Sequence, residues 1–224
     1  MPGIFQDRSD AGRALALELK RYAHRPDVVV VALPRGGVPV AVEVARELQA
    51  PLDILLVRKL GVPGYEELAM GAIASGGIRV INENVVANLG IPKRAVEEAT
   101  AEQERELKRR EQLYRGNAAP LDIAQKTVIL IDDGIATGAT FAAALEALKR
   151  RQPAHIVIAV PVASHSAHNR FAEQVDEMVV LTTPEDFFAV GQVYATFPAV
   201  PDDEVTRLMA SALSRGCPEP QRPL

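Results

Sequence analysis

The stretch VILIDDGIATGAT, residues 128–140, sets two adjacent carboxylates, Asp132 and Asp133, directly after an apolar run. Like charges side by side repel and are costly near a core, so something beyond the chain is expected to hold them there. The residues after them are mostly small: Gly134, Ala136, Thr137, Gly138, Ala139 and Thr140. Small residues let backbone amides come close to an anion, and a helix N-terminus adds donors and a partial positive charge. Thr137 and Thr140 contribute hydroxyls, and Gly138 permits a tight or left-handed turn. The combination describes a phosphate cradle beside a carboxylate pair. Carboxylates do not bind phosphate directly, but they accept hydrogen bonds from sugar hydroxyls or hold a divalent cation. A phosphorylated sugar with vicinal hydroxyls, together with a metal, is the ligand this pattern predicts.

Other phosphate chemistries fail on spacing. The chain has no GxxxxGK[ST], hence no phosphate-loop lysine, and no GxGxxG after a strand. Response-regulator receivers also carry an acidic pair after a strand, but near the N-terminus and apart from the phosphorylated aspartate, which does not fit here. Two His, His165 and His168, stand three apart, but a catalytic zinc needs a third protein ligand and none is evident. A surface helix start capped by Ser164 accounts for them. Cys217, the one cysteine, falls in a Pro-rich tail and is not expected to be a nucleophile. Its solitude rules out a disulfide framework.

The elements that must position these residues read as alternating strands and helices. Asp10–Ala23 has helical spacing, and Val28–Leu33 reads as a buried strand. VPVAVEVARELQ follows as a helix and LDILLVRK as a second buried strand, a βαβ unit that implies a parallel sheet. AMGAIASGGIRVIN reads as a hairpin turning at Ser75-Gly76-Gly77. Pro92 opens a charged helix that Gly116 ends. KTVILID is a third strand followed by the helix ATFAAALEALKR; HIVIAVPVA and MVVLTT are the fourth and fifth. DDEVTRLMASALS is a closing helix with Asp202 or Asp203 as N-cap. The expected fold class is α/β, a Rossmann-like parallel core with helices on both faces. One domain over 1–215 is expected, with its core at about 26–60 and 117–183, an insertion at 61–116, and a disordered tail at 216–224. The charged helix reads as a solvated face with pairs such as Glu104–Lys108, as a lid, or as both.

Composition bounds the partners. A net charge of −4 over 224 residues and a pI near 5.7 argue against a wholly basic, nucleic-acid-binding surface. Aromatics at 4 % are too sparse for wide base-stacking platforms. The N-terminus lacks a signal-peptide core, and no apolar run approaches the ~18 residues that cross a bilayer. A cytoplasmic protein is expected.

VILIDDGIATGAT resembles the PRPP-binding motif of the type I phosphoribosyltransferases, where PRPP is phosphoribosyl pyrophosphate: an apolar strand, two acidic residues, and a small-residue loop ending Thr-Gly-x-Thr. ALPRGGVPVAVEVA, residues 32–45, is similar to the family's pyrophosphate loop; Gly36 and Gly37 open the backbone to an anion and Arg35 adds charge. Arg58 and Lys59 end the second strand, where the family often places a basic residue near pyrophosphate. PEDFFAVGQVYATF, residues 184–197, is similar to the hood of the hypoxanthine-guanine enzymes. That likeness puts Phe188 on the base, with Ala189 and Val190 as backbone contacts; an ordinary buried aromatic is the alternative. The resemblance covers roughly 26–200 and looks closest to a set of poorly assigned bacterial phosphoribosyltransferases.

The resemblance implies a Mg²⁺-dependent transferase of the nucleotide-salvage type, joining a nitrogenous base to PRPP with release of pyrophosphate. Asp132 and Asp133 would hold the ribose hydroxyls, and Asp133, or Asp132, the metal. Ala136–Thr140, after Gly134, would hold the 5-phosphate, and Arg35, Arg58 and Lys59 would neutralise pyrophosphate. Residues 61–116 would be the lid, with Glu66 and Glu67 as candidate bases or plain surface charge, and 184–200 the hood. Tyr65 and Tyr194 fit core, hood or lid. A homodimer is usual in the family. Departures matter: the 6-oxopurine enzymes carry aspartates where this chain has Ala136 and, in the hood, Ala195 and Thr196, so their specificity is not carried over and the acceptor stays open. A PRPP-sensing regulator that binds nucleic acid or protein remains an alternative, since its motif would be intact. A PRPP synthetase-like subunit is a third, disfavoured by the lack of an internal repeat.

Overall fold

The computed structural model describes residues 4–215. A five-stranded parallel sheet forms the centre, in the order β2-β1-β6-β7-β8. Its members are β1 (Val28–Ala32), β2 (Leu52–Ile54), β6 (Thr127–Ile131), β7 (His155–Val162) and β8 (Glu177–Thr182). Every residue of β1 and β6 is buried, the signature of a parallel sheet covered on both faces. The pleat divides the core by parity. Val28, Val30, Ala32, Ile129 and Ile131 face one layer, with α1 (Arg8–Glu18), α2 (Gly37–Leu48) and α7 (Asp202–Arg215). Val29, Val31, Val128 and Leu130 face the other, with α5 (Ala139–Arg150) and α6 (His165–Ala172). The α/β class and the helices on both faces are as the sequence predicts.

The run LDILLVRK differs from its reading as one core strand. Only Leu52–Ile54 pair with β1; Leu55 donates to Ala32 O, and the chain then leaves the sheet. Leu56 next pairs with Ser75, through Ser75 N–H to Leu56 O and Leu56 N–H to Ser75 Oγ. Val57–Val62 becomes β3 of a separate antiparallel sheet with β4 (Tyr65–Ala74) and β5 (Ile78–Ile81), in the order β3-β4-β5. Arg58 and Lys59 therefore lie on this second sheet and do not end a core strand. The β4–β5 hairpin turns where expected, with Gly76 and Gly77 at positive φ.

After α3 (Glu83–Asn88), α4 (Lys93–Arg115) is the charged helix, ended by Gly116 at φ 60. Exposed pairs such as Arg94–Glu98 lace its outer face. Its last turn is anchored: Arg115 donates to Asp53 Oδ1 and to Ile54 O, and both partners of that ion pair are only 6 % exposed. Helix α1 is shorter than its reading, Asp7 capping it and a 3₁₀ turn covering Lys20–Tyr22. Helix α7 starts at Asp202, so Asp202 and Asp203 lie in its first turn and not at the cap. The Asp202 carboxylate is engaged instead by Tyr114 OH. The expected tail, with Cys217, falls outside the described residues.

Candidate functional site

Strand order reverses between β1 and β6: the chain runs outward from β1 to β2, then returns to the other side of β1. In open α/β sheets the crevice beyond the strand carboxyl ends at such a point is where ligands bind. Two loops flank it. Leu33–Gly37 leaves β1 and Asp132–Gly138 leaves β6, and Leu33 N–H donates to Ile131 O at 2.9 Å to hold them together.

The first loop is fitted against the acidic pair. A Cβ on Gly36 would fall 2.0 Å from Asp133 Oδ2, and one on Gly37 2.7 Å from Ile131 O. A side chain at Gly37 would collide with backbone, and one at Gly36 would displace the Asp133 carboxylate. Arg35 follows a cis peptide from Pro34. Its Nη1 is 3.5 Å from Asp202 Oδ1, which also accepts from Tyr114 OH. Tyr114 is pushed up to about 12 by burial and by that bond, and Asp202 is held below its usual value by it.

The second loop is held from below. Ile135 N–H donates to Val162 O, Ser164 N–H to Ile135 O, and Ser164 Oγ to Ala136 O at 2.8 Å. Gly138, at φ 73, caps α5, and a Cβ there would meet Phe171 at 2.4 Å. The first turn of α5 leaves amides without intrahelical partners, and the loop residue Thr137 is exposed beside them. Gly134 lies under Val190, whose Cγ1 would be 2.6 Å from a Cβ at that position.

Asp132 and Asp133 are half-buried. Burial pushes both carboxyls above the usual range, and for Asp132 the adjacent Asp133 charge adds to it. Arg8 opposes the shift. Its Nε donates to Asp133 Oδ2 at 2.8 Å and its Nη1 to Pro198 O at 2.7 Å. The guanidinium lies 3.7 Å from the centroid of Phe197, which stacks on Tyr194, and Tyr194 OH donates to Asp133 O. Sequence reading missed Arg8. It sits 125 residues from Asp133, and a buried arginine on a first helical turn leaves no periodic trace. Tyr194, left open between core, hood and lid, belongs to this wall.

Other candidates fall further out. Arg58 donates through Nε and Nη2 to Gln103 Oε1 on α4, at 2.9 and 2.7 Å. Arg58 and Lys59 line a cavity of about 850 Å³ between β3 and α4. Lys59 and Thr140 line a second, of about 640 Å³, between the small sheet and α5. Phe188 is 86 % exposed, so it is not the ordinary buried aromatic of the alternative reading. Its amide donates to Gln192 Oε1. Ser164 caps α6 and places His165 and His168 on the helix start. The side chains of Glu66, Glu67 and Ala139 lie outside the described set.

Among the described residues no cluster of three or more metal-ligating side chains occurs. Magnesium does not need one, since it is commonly held by one or two carboxylates plus waters and substrate phosphates. The Asp132–Asp133 pair facing a side-chain-free Gly36 fits that donor set.

Comparison with known proteins agrees with this fold. The phosphoribosyl transferase domain matches residues 5–196. Two Mycobacterium tuberculosis proteins, from strains CDC 1551 and H37Rv and each named "Putative phosphoribosyl transferase", are 46 % identical over 209 residues. That alignment takes in 93 % of this chain and 47 % of theirs, so the chain spans about half the length of these curated relatives. The crystal structure of TT1426 from Thermus thermophilus superposes with a TM-score of 0.81 at 40 % identity, over 92 % of this chain and 98 % of that one. The chain belongs to the type I phosphoribosyltransferase family.

Proposed function

We propose that the protein transfers a phosphoribosyl group from PRPP to a nitrogenous base and releases pyrophosphate, with Mg²⁺. The observation that carries this reading is the packing of the double-glycine loop on the acidic pair: Gly36 and Gly37 leave room for backbone, but not for a side chain, against Asp133 and Asp132. A phosphorylated sugar with vicinal hydroxyls complements that pair and the loop beside it.

The displacement at the anomeric carbon passes through an oxocarbenium-like state and needs no protein nucleophile. The chain supplies positioning, charge and exclusion of water. Asp132 and Asp133 accept hydrogen bonds from the ribose hydroxyls and share in holding the metal. Magnesium, when bound, offsets the negative charge that builds on the leaving pyrophosphate. The amides of Ala136–Thr140 and the Thr137 and Thr140 hydroxyls take the 5-phosphate. Arg35 meets pyrophosphate once it exchanges Asp202 for it, with Lys59 and Arg58 approaching from β3 of the small sheet. Phe188, already exposed, offers a face to the base.

Calorimetric titration of PRPP with Mg²⁺ tests the site. A pyrophosphate-release screen over adenine, hypoxanthine, guanine, xanthine, uracil and orotate tests the reaction. Binding with release from one base establishes the transferase and names the acceptor. Binding without release favours the PRPP-sensing reading. In the Asp132→Asn, Asp133→Asn variant PRPP binding is expected to vanish while the fold persists; unchanged affinity would refute the assignment.

A further inference from the structure

We infer that Arg8 is a positioning residue of the carboxylate pair, and that through it the 194–198 segment sets how Asp133 meets the ribose. This rests on the PRPP reading above. Arg8 is only 8 % exposed, although it lies in the first turn of α1. Each of its contacts ties two parts of the site. Nε donates to Asp133 Oδ2, Nη1 donates to Pro198 O, and the guanidinium carbon lies over the Phe197 ring. Phe197 stacks on Tyr194 at 4.8 Å, and Tyr194 OH returns to the Asp133 carbonyl. Asp133 is thus gripped at side chain and backbone by one ring of contacts.

The consequence for binding is electrostatic and geometric. Two half-buried carboxylates on consecutive residues repel, and the fixed cation on Oδ2 offsets one of those charges. Asp132 Oδ1 is itself taken by Asp133 N–H at 2.9 Å. The pair therefore presents its remaining oxygens, Asp133 Oδ1 and Asp132 Oδ2, in one orientation for ribose hydroxyls. A charge-assisted bond of this kind fixes direction as well as energy. The surrounding segments are also pinned: Phe5 N–H donates to Val193 O, and Ala195 N–H donates to Phe5 O.

The test is PRPP titration with Mg²⁺ into wild type, Arg8→Met and Arg8→Lys, with thermal unfolding in parallel. Methionine keeps the aliphatic stem but removes the guanidinium, and with it the charge and its contact over Phe197. The Met variant is expected to bind roughly 10- to 100-fold more weakly, the usual range for a lost bond to a charged group. Lysine restores a cation beside Oδ2 and is expected to recover affinity to within roughly fivefold of wild type. Wild-type or tighter binding by the Met variant overturns the proposal. So does equal loss in both variants, since that is what a purely structural role gives. If the Met variant fails to fold, Phe197→Leu takes its place: it keeps the charge but removes the ring, and unaltered PRPP affinity would overturn the coupling to the 194–198 segment. A wild type that binds no PRPP refutes the phosphoribosyl reading itself. Loss of PRPP in Asp133→Asn, with none in Arg8→Met, leaves that reading standing and removes only Arg8.

Discussion

At the scale of single residues, the site is assembled from groups that cost stability where they stand. Both Asp132 and Asp133 are raised by burial, so the folded state holds protons more tightly than the unfolded chain does. Stability then falls as pH rises from the ordinary carboxylate range through the raised values. Asp132→Asn removes one member of the pair. It is expected to raise the melting temperature at neutral pH, by about 2–4 °C per kcal/mol recovered, and to flatten its decline with pH, while PRPP binding is lost. Melting curves at several pH values, with PRPP titration at neutral pH, check both halves. Thr137→Ala is expected to weaken PRPP by about 1–3 kcal/mol through the 5-phosphate, read by the same titration. Gly36→Ala drives a methyl into Asp133 Oδ2. It is expected to cut PRPP affinity by at least about tenfold, because the carboxylate must turn away from its bound orientation.

At the scale of elements, the legible parts were those whose pattern is local. Val28–Ala32, Thr127–Ile131 and His155–Val162 are apolar runs bounded by turn residues, and each is a core strand. Lys93–Arg115 has Pro92 before it and Gly116 after it, and both ends hold. LDILLVRK was not legible, because a continuous apolar run does not show where its pairing partner changes. The change at Leu55–Leu56 is made by Ala32 and Ser75, which are distant in sequence. Arg8 was invisible for the same reason. The anchor of α4 gives a prediction of its own. Arg115→Met leaves the Asp53 carboxylate buried without its cation, with two amide donors, Leu121 N–H to Oδ2 and Ile54 N–H to Oδ1. A loss of about 3–5 kcal/mol is expected in denaturant unfolding. Tyr114 makes a second tie, to Asp202. Its phenol is held up to about 12 from 10.0, so the contribution is present below pH 10 and is lost as pH rises through about 12. Tyr114→Phe is expected to make that decline shallower, with the remainder carried by the buried Tyr194 phenol, which is also raised.

At the scale of the whole molecule, the parallel sheet supplies the switch point and the insertion supplies a second wall. Helix α4 joins them, gripping Asp53 of β2 at its end and Asp202 of α7 through Tyr114. Arg35, the basic residue of the first loop, reaches the same Asp202. The fold was readable from alternating strands and helices, and the small-residue loop after the acidic pair from one stretch of sequence. The wall over the acidic pair was not readable, because it is made by opposite ends of the described chain: Phe5 and Arg8 from one, Tyr194, Phe197 and Pro198 from the other.

That last arrangement has a consequence for time. The contacts of Arg8 with Pro198, 190 residues apart, and of Phe5 with Val193 close far longer loops than the Val28–Thr127 pairing of β1 with β6, and such closures come late when a chain folds. During synthesis the core strands β1, β2 and β6 leave the ribosome well before Val193 does. The sheet centre is expected to form first and the wall over the acidic pair afterwards. On the proposed phosphoribosyl reading, a refolding chain is expected to regain its secondary structure before it binds PRPP, and stopped-flow mixing with PRPP checks for a lag between the two signals.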